Sequence, residues 1–467
     1  MAKEQKTMSV VTLPLKTEPW QEDVLFKRFE LCRSIYNAML GYELKQYRKM
    51  NREPEYKESL ELIMSAYKIE NEKEKKAVKK TEAYKEAVET QRRFLREYGF
   101  SEFDFISTVA QFREHFSQNV SSNMAALSIA KPMWAAFDKL LFGKGETVHF
   151  KKYDTWSSVV TNGKSGIRIV NEEEKTVLHR NGNEKLFVLT GGQKGKKLKM
   201  PIKIDPKDYY ALEMLDRDIK TVRITRKKVK GKYKYYVQLC VVGQPAIKYD
   251  RETGEIKNTV GKGRVGIYID TTSVTVYCDK GKEYFDLSSD SKADDQKIAE
   301  LQQYLDSSRR ATNPDNFNAD GTIKKGLIKD GQRVPLRWKY SNGYKKAKNE
   351  LANLHRVVAE KRMLQRNILA NKIIALGDEV IVNDYPFQYA AMRKKEDEVS
   401  KSGRPLSKKK AGKQIGQNAP ATLVALIDQK LKSKGYCGVE KIKLKDVDYN
   451  TPGYRDYYAK AMYDNTL

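Results

Sequence analysis

Long apolar runs are missing from this 467-residue chain. None approaches the roughly 20 residues needed to cross a bilayer, and the N-terminus lacks the apolar core of a secretory signal. Cysteine is scarce as well. Cys32, Cys240, Cys278 and Cys437 stand singly, with no C-x-x-C pair, which excludes a zinc ribbon or a disulfide framework by count. Each reads as a small core residue. His115, His149, His179 and His355 are equally dispersed, and none reads as a metal ligand. Acidic residues are outnumbered: 61 Asp and Glu face 89 Lys and Arg, a formal charge of +28. An excess of that size says little about fold but selects a polyanionic partner. A soluble, intracellular, nucleic-acid-binding protein is the default expectation, with ribosomal and membrane-surface proteins as competitors. The length allows about two to four domains.

What is present begins with a strand over Met8–Lys16, standing alone before a helical region. From Trp20 the apolar residues Val24, Phe29, Cys32, Tyr36, Met39 and Leu40 follow helical spacing. Residues Lys68–Arg96 are dense in Glu and Lys, predicting a solvated helix pair. Ser122–Phe142 predicts one amphipathic helix closed by Gly143-Lys144-Gly145. The pattern then turns to short β runs, ending in the hairpin Ile219–Val242 with Gly231 at its bend. Along the hairpin lie Arg223, Arg226, Lys227, Lys228, Lys230, Lys232 and Lys234, interleaved with Tyr233, Tyr235 and Tyr236. Lysine and arginine neutralise phosphates and tyrosine stacks on bases, so these residues are the first candidate nucleic-acid contacts. Lysines that merely blunt a sheet edge are the alternative. The first strand, split from the others by helices, predicts a β-barrel with a helical insertion.

Gln244–Arg264 reads as a linker. After it Val265, Ile267 and Ile269 alternate, Asp270 follows, and Val274 and Val276 resume the alternation across a Thr271-Thr272-Ser273 turn. A carboxylate at the tip of such a strand is where an RNase H-like fold keeps its first metal ligand; a polar residue ending an edge strand is the competing reading. A helix over Asp294–Asp306 leads into a turn-rich segment, Ser307–Gly326, with Arg309 and Arg310 at its mouth. Tyr344–Leu376 predicts a long helix and Glu379–Asp384 a buried strand. Arg393–Lys413, with nine basic and three acidic residues, reads as a basic loop containing Lys408, Lys409 and Lys410. A helix over Ile415–Leu431, a strand in Gly435–Leu444 and a helix over Tyr454–Tyr463 complete the chain.

The order of these stretches resembles one family. The strand–Asp270–strand unit, "SRRATNPDNFNADGTIKKG", "YKKAKNELANLHRVVAEKRMLQRNILANKIIALG", "EVIVND" and "KKKAGKQIGQNAPATLVALIDQKLKSKG" together look like the RuvC domain of TnpB, the transposon-encoded RNA-guided nuclease, and of the miniature type V-F (Cas12f-like) CRISPR effectors. "KLLFGKGETVHFKKYD" and the Tyr/Lys hairpin resemble the wedge domain of the same proteins. The resemblance covers most of the chain from about Ser122 onward. It implies a multidomain α+β architecture: a first wedge strand (1–19), a helical recognition lobe (20–143), a wedge β-barrel (144–246), a linker (247–264) and an RNase H-like RuvC α/β domain (265–467).

The family cuts DNA with three carboxylates that hold Mg²⁺. By resemblance these are Asp270, the position of Asn383 and, in "GYRDYYAKAMY", Asp456. Asn383 replaces the expected Glu and brings no charge, and neighbouring Asp384 faces the other side of the strand. The zinc ribbon is missing and the chain stops soon after Asp456. The resemblance therefore implies a nuclease-dead member with vestigial Asp270, Asn383 and Asp456, requiring no cofactor, with at most weak, non-catalytic Mg²⁺ at Asp270 and Asp456. Implied partners are a guide RNA, double-stranded target DNA with a short flanking motif, a second copy of the chain, and transcription machinery such as a sigma factor or RNA polymerase. The expected place is the prokaryotic cytoplasm, at the nucleoid. The rival readings are an active Mg²⁺-dependent RNA-guided DNA endonuclease and a guide-independent basic RNA-binding protein.

Overall fold

The computed structural model describes residues 7–69, 71–142, 145–192, 195–250, 252–287, 292–326, 328–329, 332–391, 411–444 and 451–466. The architecture is mixed α+β. It divides into two compact units, residues 1–227 with 233–246, and residues 228–232 with 247–467. Among the described residues, no helix is long and apolar enough to cross a membrane.

The strands, in chain order, are β1 (Met8–Pro14), β2 (Ser158–Asn162), β3 (Ile167–Val170), β4 (Phe187–Gly192), β5 (Gly195–Pro201), β6 (Ile219–Val229), β7 (Lys232–Val242), β8 (Arg264–Ile269), β9 (Ser273–Cys278), β10 (Gly281–Asp286), β11 (Ile328–Lys329), β12 (Gln332–Arg333), β13 (Glu379–Asn383) and β14 (Glu440–Ile442). In the first unit β1, β7, β6 and β2 form one sheet and β3, β4 and β5 another. β1 alternates cleanly, with Ser9, Val11 and Leu13 buried, and pairs antiparallel with β7 from Met8↔Val242 to Pro14↔Tyr236. The β6–β7 hairpin closes through Lys230 and Gly231, both left-handed (φ 49° and 82°). Two such residues make the turn whose twist suits a two-residue hairpin. The strands expected to form a single barrel thus lie in two sheets, linked by the isolated bridge Leu15↔Ile202. The chain passes from one sheet to the other at a tight turn after β2, where the Asn162 carboxamide oxygen accepts from the backbone of Lys164 and Ser165.

The helical part of this unit starts with the helix Pro19–Met50. Its Leu25, Phe29, Cys32, Tyr36, Met39 and Leu40 face the core, following the apolar spacing of the sequence. The charged stretch gives the helices Glu72–Val78, with no buried residue, and Glu82–Glu97, which buries Ala87, Gln91 and Phe94. The predicted single helix Ser122–Phe142 is interrupted. Helix Ser122–Ala125 runs into a π-helical turn, Ala126–Ala130, and then into helix Lys131–Leu141. The wide turn carries Ser128 to β2, where its hydroxyl accepts from Val160 N (2.8 Å) and donates to Val160 O (3.2 Å). That side-chain contact across to a strand is what the helical pattern alone does not reveal.

In the second unit the sheet order is β10-β9-β8-β13-β14. β8, β9 and β10 are antiparallel neighbours, while β13 is parallel to both β8 and β14. β8 is buried on both faces, as a central strand covered by helices must be. On one face Val265, Ile267 and Ile269 meet Ala370, Ile373 and Ile374 of the helix Asn342–Ile374 and Leu423, Ile427 and Leu431 of the helix Pro420–Ser433. On the other face Tyr268 and Ile381 meet Ala459 and Met462 of the helix Tyr454–Asp464. Gly266 permits that second contact: a Cβ there would lie 2.2 Å from the carbonyl oxygen of Ala459, so only glycine lets this helix rest on the strand.

Two expectations for this unit change. The helix predicted over Ile415–Leu431 is two helices, Gly412–Asn418 and Pro420–Ser433, broken at left-handed Ala419 (φ 45°). Pro420 disfavours the helical conformation at the residue before it. Arg309 and Arg310 do not open a loop; they sit in the last turn of the helix Lys292–Thr312.

Candidate carboxylate site and nucleic-acid interface

Asp270 lies directly after β8 and is 6% exposed. Its Oδ1 accepts from the backbone N–H groups of Thr272 (2.7 Å) and Ser273 (2.9 Å) and from the Thr272 hydroxyl (3.1 Å). This is the Asx-turn chemistry that lets a short carboxylate close its own turn. Its Oδ2 is taken by Arg455, whose Nε and outer guanidinium nitrogen both stand 2.7 Å away. Burial disfavours the charge on Arg455, but the charge and hydrogen bond of Asp270, with nearby Tyr454 and Tyr284, together outweigh it, and the net shift of the guanidinium pKa is upward.

Asn383 ends β13 and is equally buried. Its Oδ1 accepts from Ile269 N at 2.7 Å and its Nδ2 donates to Ile269 O at 2.9 Å. The backbone pairing of β13 with β8 reaches Val382↔Ile267; the Asn383 carboxamide then continues the ladder as one more peptide-like partner. A carboxylate supplies only the accepting half of this arrangement. Asp384 is exposed. Asp456 pairs with Lys282 of β10 at the surface, and that hydrogen bond raises the Lys282 pKa.

Of the three positions, two present a carboxylate and the second an uncharged amide. One carboxylate is filled by an arginine and its own turn, the second position is an amide turned to backbone, and the third carboxylate holds a lysine. Among the described residues, no three His, Cys, Asp or Glu side chains are grouped as metal ligands. Arg455 was missed by reading the sequence, although it adjoins Asp456; the signal was a basic residue beside an expected ligand.

The hairpin candidates separate by strand face. Val222, Ile224 and Arg226 of β6 point inward, while Arg223 and Lys227 are exposed, as are Lys228, Lys230 and Lys232. Arg226 departs from the expected surface position: it is 4% exposed. Its Nε donates to Trp156 O (2.9 Å), and its guanidinium lies 3.2 Å from Asp154 and 3.6 Å from Glu30. The rings of Phe26, Phe29 and Tyr233 surround it at 4.4–5.0 Å. Tyr235 is also buried and its hydroxyl turns to Glu22 O; burial pushes its pKa up to about 12. Tyr233 is half-buried, bonded to Asp154, and its pKa is raised by burial and then by that bond. The Tyr235 ring is thus in the core, and Arg226 lies over the ring of Tyr233. Period-two parity carries the signal: a residue two places beyond Ile224 belongs on the core side.

Arg309 and Arg310 pair with Asp306 at 2.7 and 3.0 Å, which lowers the Asp306 pKa. Their guanidinium groups cover Phe317 and Trp338, so they brace the following segment. Lys408, Lys409 and Lys410 lie outside the described residues.

No family model and no curated protein matches the chain. Among solved structures it is similar to a Cas12f1–sgRNA–target DNA complex, with 12% identity over 98% of this chain and 94% of that one, at a TM-score of 0.39. It is similar to a CRISPR–Cas12f ternary complex, with 12% identity over 96% and 77% at a TM-score of 0.28. It is similar to a Cas12i1 R-loop complex captured before target DNA cleavage, with 9% identity over 91% and 56% at a TM-score of 0.25.

Proposed function

We propose that this chain is an RNA-guided, sequence-specific DNA-binding protein that does not cut its target and acts as a transcriptional regulator. The observation that carries the loss of cleavage is the two-way bond between the Asn383 carboxamide and Ile269. It assigns to sheet pairing the position from which a carboxylate would have to reach metal. The strand order β10-β9-β8-β13-β14 supports reading the second unit as an RNase H-like RuvC domain, and the two sheets of the first unit support a wedge.

The charge of +28 and the exposed Arg223, Lys227, Lys228, Lys230 and Lys232 support a guide RNA as first partner. Pairing by that RNA selects the target strand, and the protein reads a short motif in the flanking duplex. Bound without cutting, such a complex blocks a promoter or brings a sigma factor or RNA polymerase to it, and a second copy of the chain shares the RNA. This activity requires no magnesium, and any held weakly at Asp270 and Asp456 is non-catalytic.

The test is to sequence the RNA that co-purifies with the chain and to challenge the complex with matched duplex. A species with a fixed scaffold and a variable end, tight binding of the match, and intact DNA in Mg²⁺ or Mn²⁺ are expected. Guide-dependent nicking abolished by Asp270→Ala overturns the non-cleaving reading; heterogeneous RNA overturns the guide reading.

A further inference from the structure

The stretch Arg337-Trp-Lys-Tyr-Ser-Asn-Gly-Tyr-Lys-Lys-Ala-Lys348 carries five basic residues and no acidic one. Arg337, Lys339, Lys345, Lys346 and Lys348 are all exposed, and among the described residues none of the five has an ion-pair partner. Later cations of the same helix behave differently: Arg356 pairs with Glu360, Lys361 with Asp294 and Arg362 with Asp295. The cations of this one stretch have been left without carboxylates.

Beside them, Tyr340 and Tyr344 stack face to face, with ring centroids 4.6 Å apart and planes inclined by 23°. Tyr340 is 41% exposed, and Tyr304, against Gly343, is 49% exposed. The backbone that presents them is pinned. Buried Asn313 donates to Lys339 O (2.8 Å) and accepts from Lys339 N (2.6 Å). Asn316 donates to Arg337 O (2.8 Å), and the Ser341 hydroxyl accepts from Tyr344 N (3.0 Å). Rings fixed in this way lose little further freedom when a ligand covers them.

We propose that this stretch is a stacking platform for unpaired nucleotides, with Tyr340 and Tyr344 receiving base faces and Lys339, Lys345 and Lys346 the adjoining phosphates. Open aromatic faces beside unpaired cations are the chemistry of single-strand binding, because every base has a face to stack and every link a charge. A duplex hides its base faces, so the occupant is an unpaired strand. The platform rests on the reading above only for the origin of that strand, either unpaired guide RNA or displaced DNA.

The test uses the full chain freed of nucleic acid, with labelled oligo(dT) and oligo(U) of about 15 nucleotides and a duplex of equal length. Tyr340→Ala with Tyr344→Ala is expected to weaken single-strand binding on the order of tenfold, with a smaller effect on duplex. Tyr340→Phe with Tyr344→Phe keeps the rings and should keep the affinity. Lys345→Ala with Lys346→Ala should lower the log-log salt slope for single strands by roughly 1.4. A loss confined to oligo(U) supports the platform with RNA as its strand, and one confined to oligo(dT) supports it with DNA. Unchanged affinity in the folded alanine pair, or an equal loss on duplex, overturns the proposal. A dimer lost in light scattering while oligonucleotide affinity stays unchanged also overturns it, in favour of a protein contact. Neither probe contains a guide, so failure here leaves the co-purification result standing, and failure of that experiment leaves this one standing.

Discussion

Arg226 in the first unit and Asp270 in the second are both buried charges, organised in opposite senses. Around Arg226 a cation is the hub, with the carboxylates of Asp154 and Glu30 and three aromatic rings gathered about it. Around Asp270 an anion is the hub, with two backbone N–H groups, two hydroxyls and Arg455 gathered about it. A charge taken out of water has to be answered by its surroundings: Arg226 is answered by carboxylates distant in the chain, and Asp270 by its own turn and by distant Arg455. The sign of a residue is visible in its sequence. Whether it answers to solvent, to a ligand or to the protein itself depends on those distant partners.

Removing the first hub is the largest disturbance expected. Arg226→Ala takes the shared cation from Asp154 and Glu30, leaving them Tyr233 and Arg33 as partners, opens a cavity among three rings, and should destabilise the first unit by about 3–5 kcal/mol in urea unfolding. Arg226→Met, which keeps the apolar stem against the rings, should lose less. Equal stability of Arg226→Ala and wild type would mean that the aromatic cage, not the charge, holds this site.

Asn383→Glu comes next. It removes the donor to Ile269 O and turns a charge toward a buried carbonyl, a loss of roughly 2–3 kcal/mol. It should not restore cutting, because Arg455 still occupies Asp270 and Lys282 still holds Asp456. A cleavage time course with Asp270→Ala in the same background checks this. Robust Asp270-dependent cutting would show that one missing carboxylate is all that silences the site.

Glu43 is the case that neither hub supplies, a carboxylate 2% exposed with one oxygen lacking a partner. Burial, and then the nearby charge of Asp104, push its pKa up to about 7 against the hydrogen bond from Thr108. The folded protein therefore binds this proton more tightly than the unfolded chain does. Between the ordinary carboxylate range and pH 7 the folded state holds more protons, so stability falls as pH rises through that window. Glu43→Gln should flatten this dependence and raise the melting temperature at pH 8. An unaltered slope would place Glu43 in contact with water.

The smallest effect belongs to the exposed pair. Lys282→Ala should leave the unfolding midpoint unchanged within error, since surface ion pairs contribute little. A clear loss would make Asp456 a third hub.

Much of this was legible in the chain. The turn after Ile269 and the strand ending at Asn383 follow from alternation and turn residues, and the apolar helix faces follow from their period. The partner of Asn383 was not legible. A missing charge can be read at a position, but an amide bonded to a strand 114 residues away requires the register of β13 on β8. Arg455 likewise meets Asp270 only because Gly266 admits its helix onto the sheet. The burial of Arg226 was legible in its parity with Val222 and Ile224, against the expectation that the basic side chains of this hairpin all face phosphates.

The π-helical turn Ala126–Ala130 governs how this part of the chain tolerates a change of length. Each helical residue turns its successors by about 100°. The wide turn holds one residue more than an α turn for nearly the same rotation, so taking one residue out there would let the segment close into a continuous α-helix and leave Lys131–Leu141 close to its present facing. Met133, Phe137 and Leu141, now buried, would keep to the core, and the bonds of Ser128 to Val160 would be the local loss. A single alanine deleted from this turn is thus expected to damage the first unit less than the deletion of one residue inside the helix Lys131–Leu141, where nothing absorbs the 100° swing.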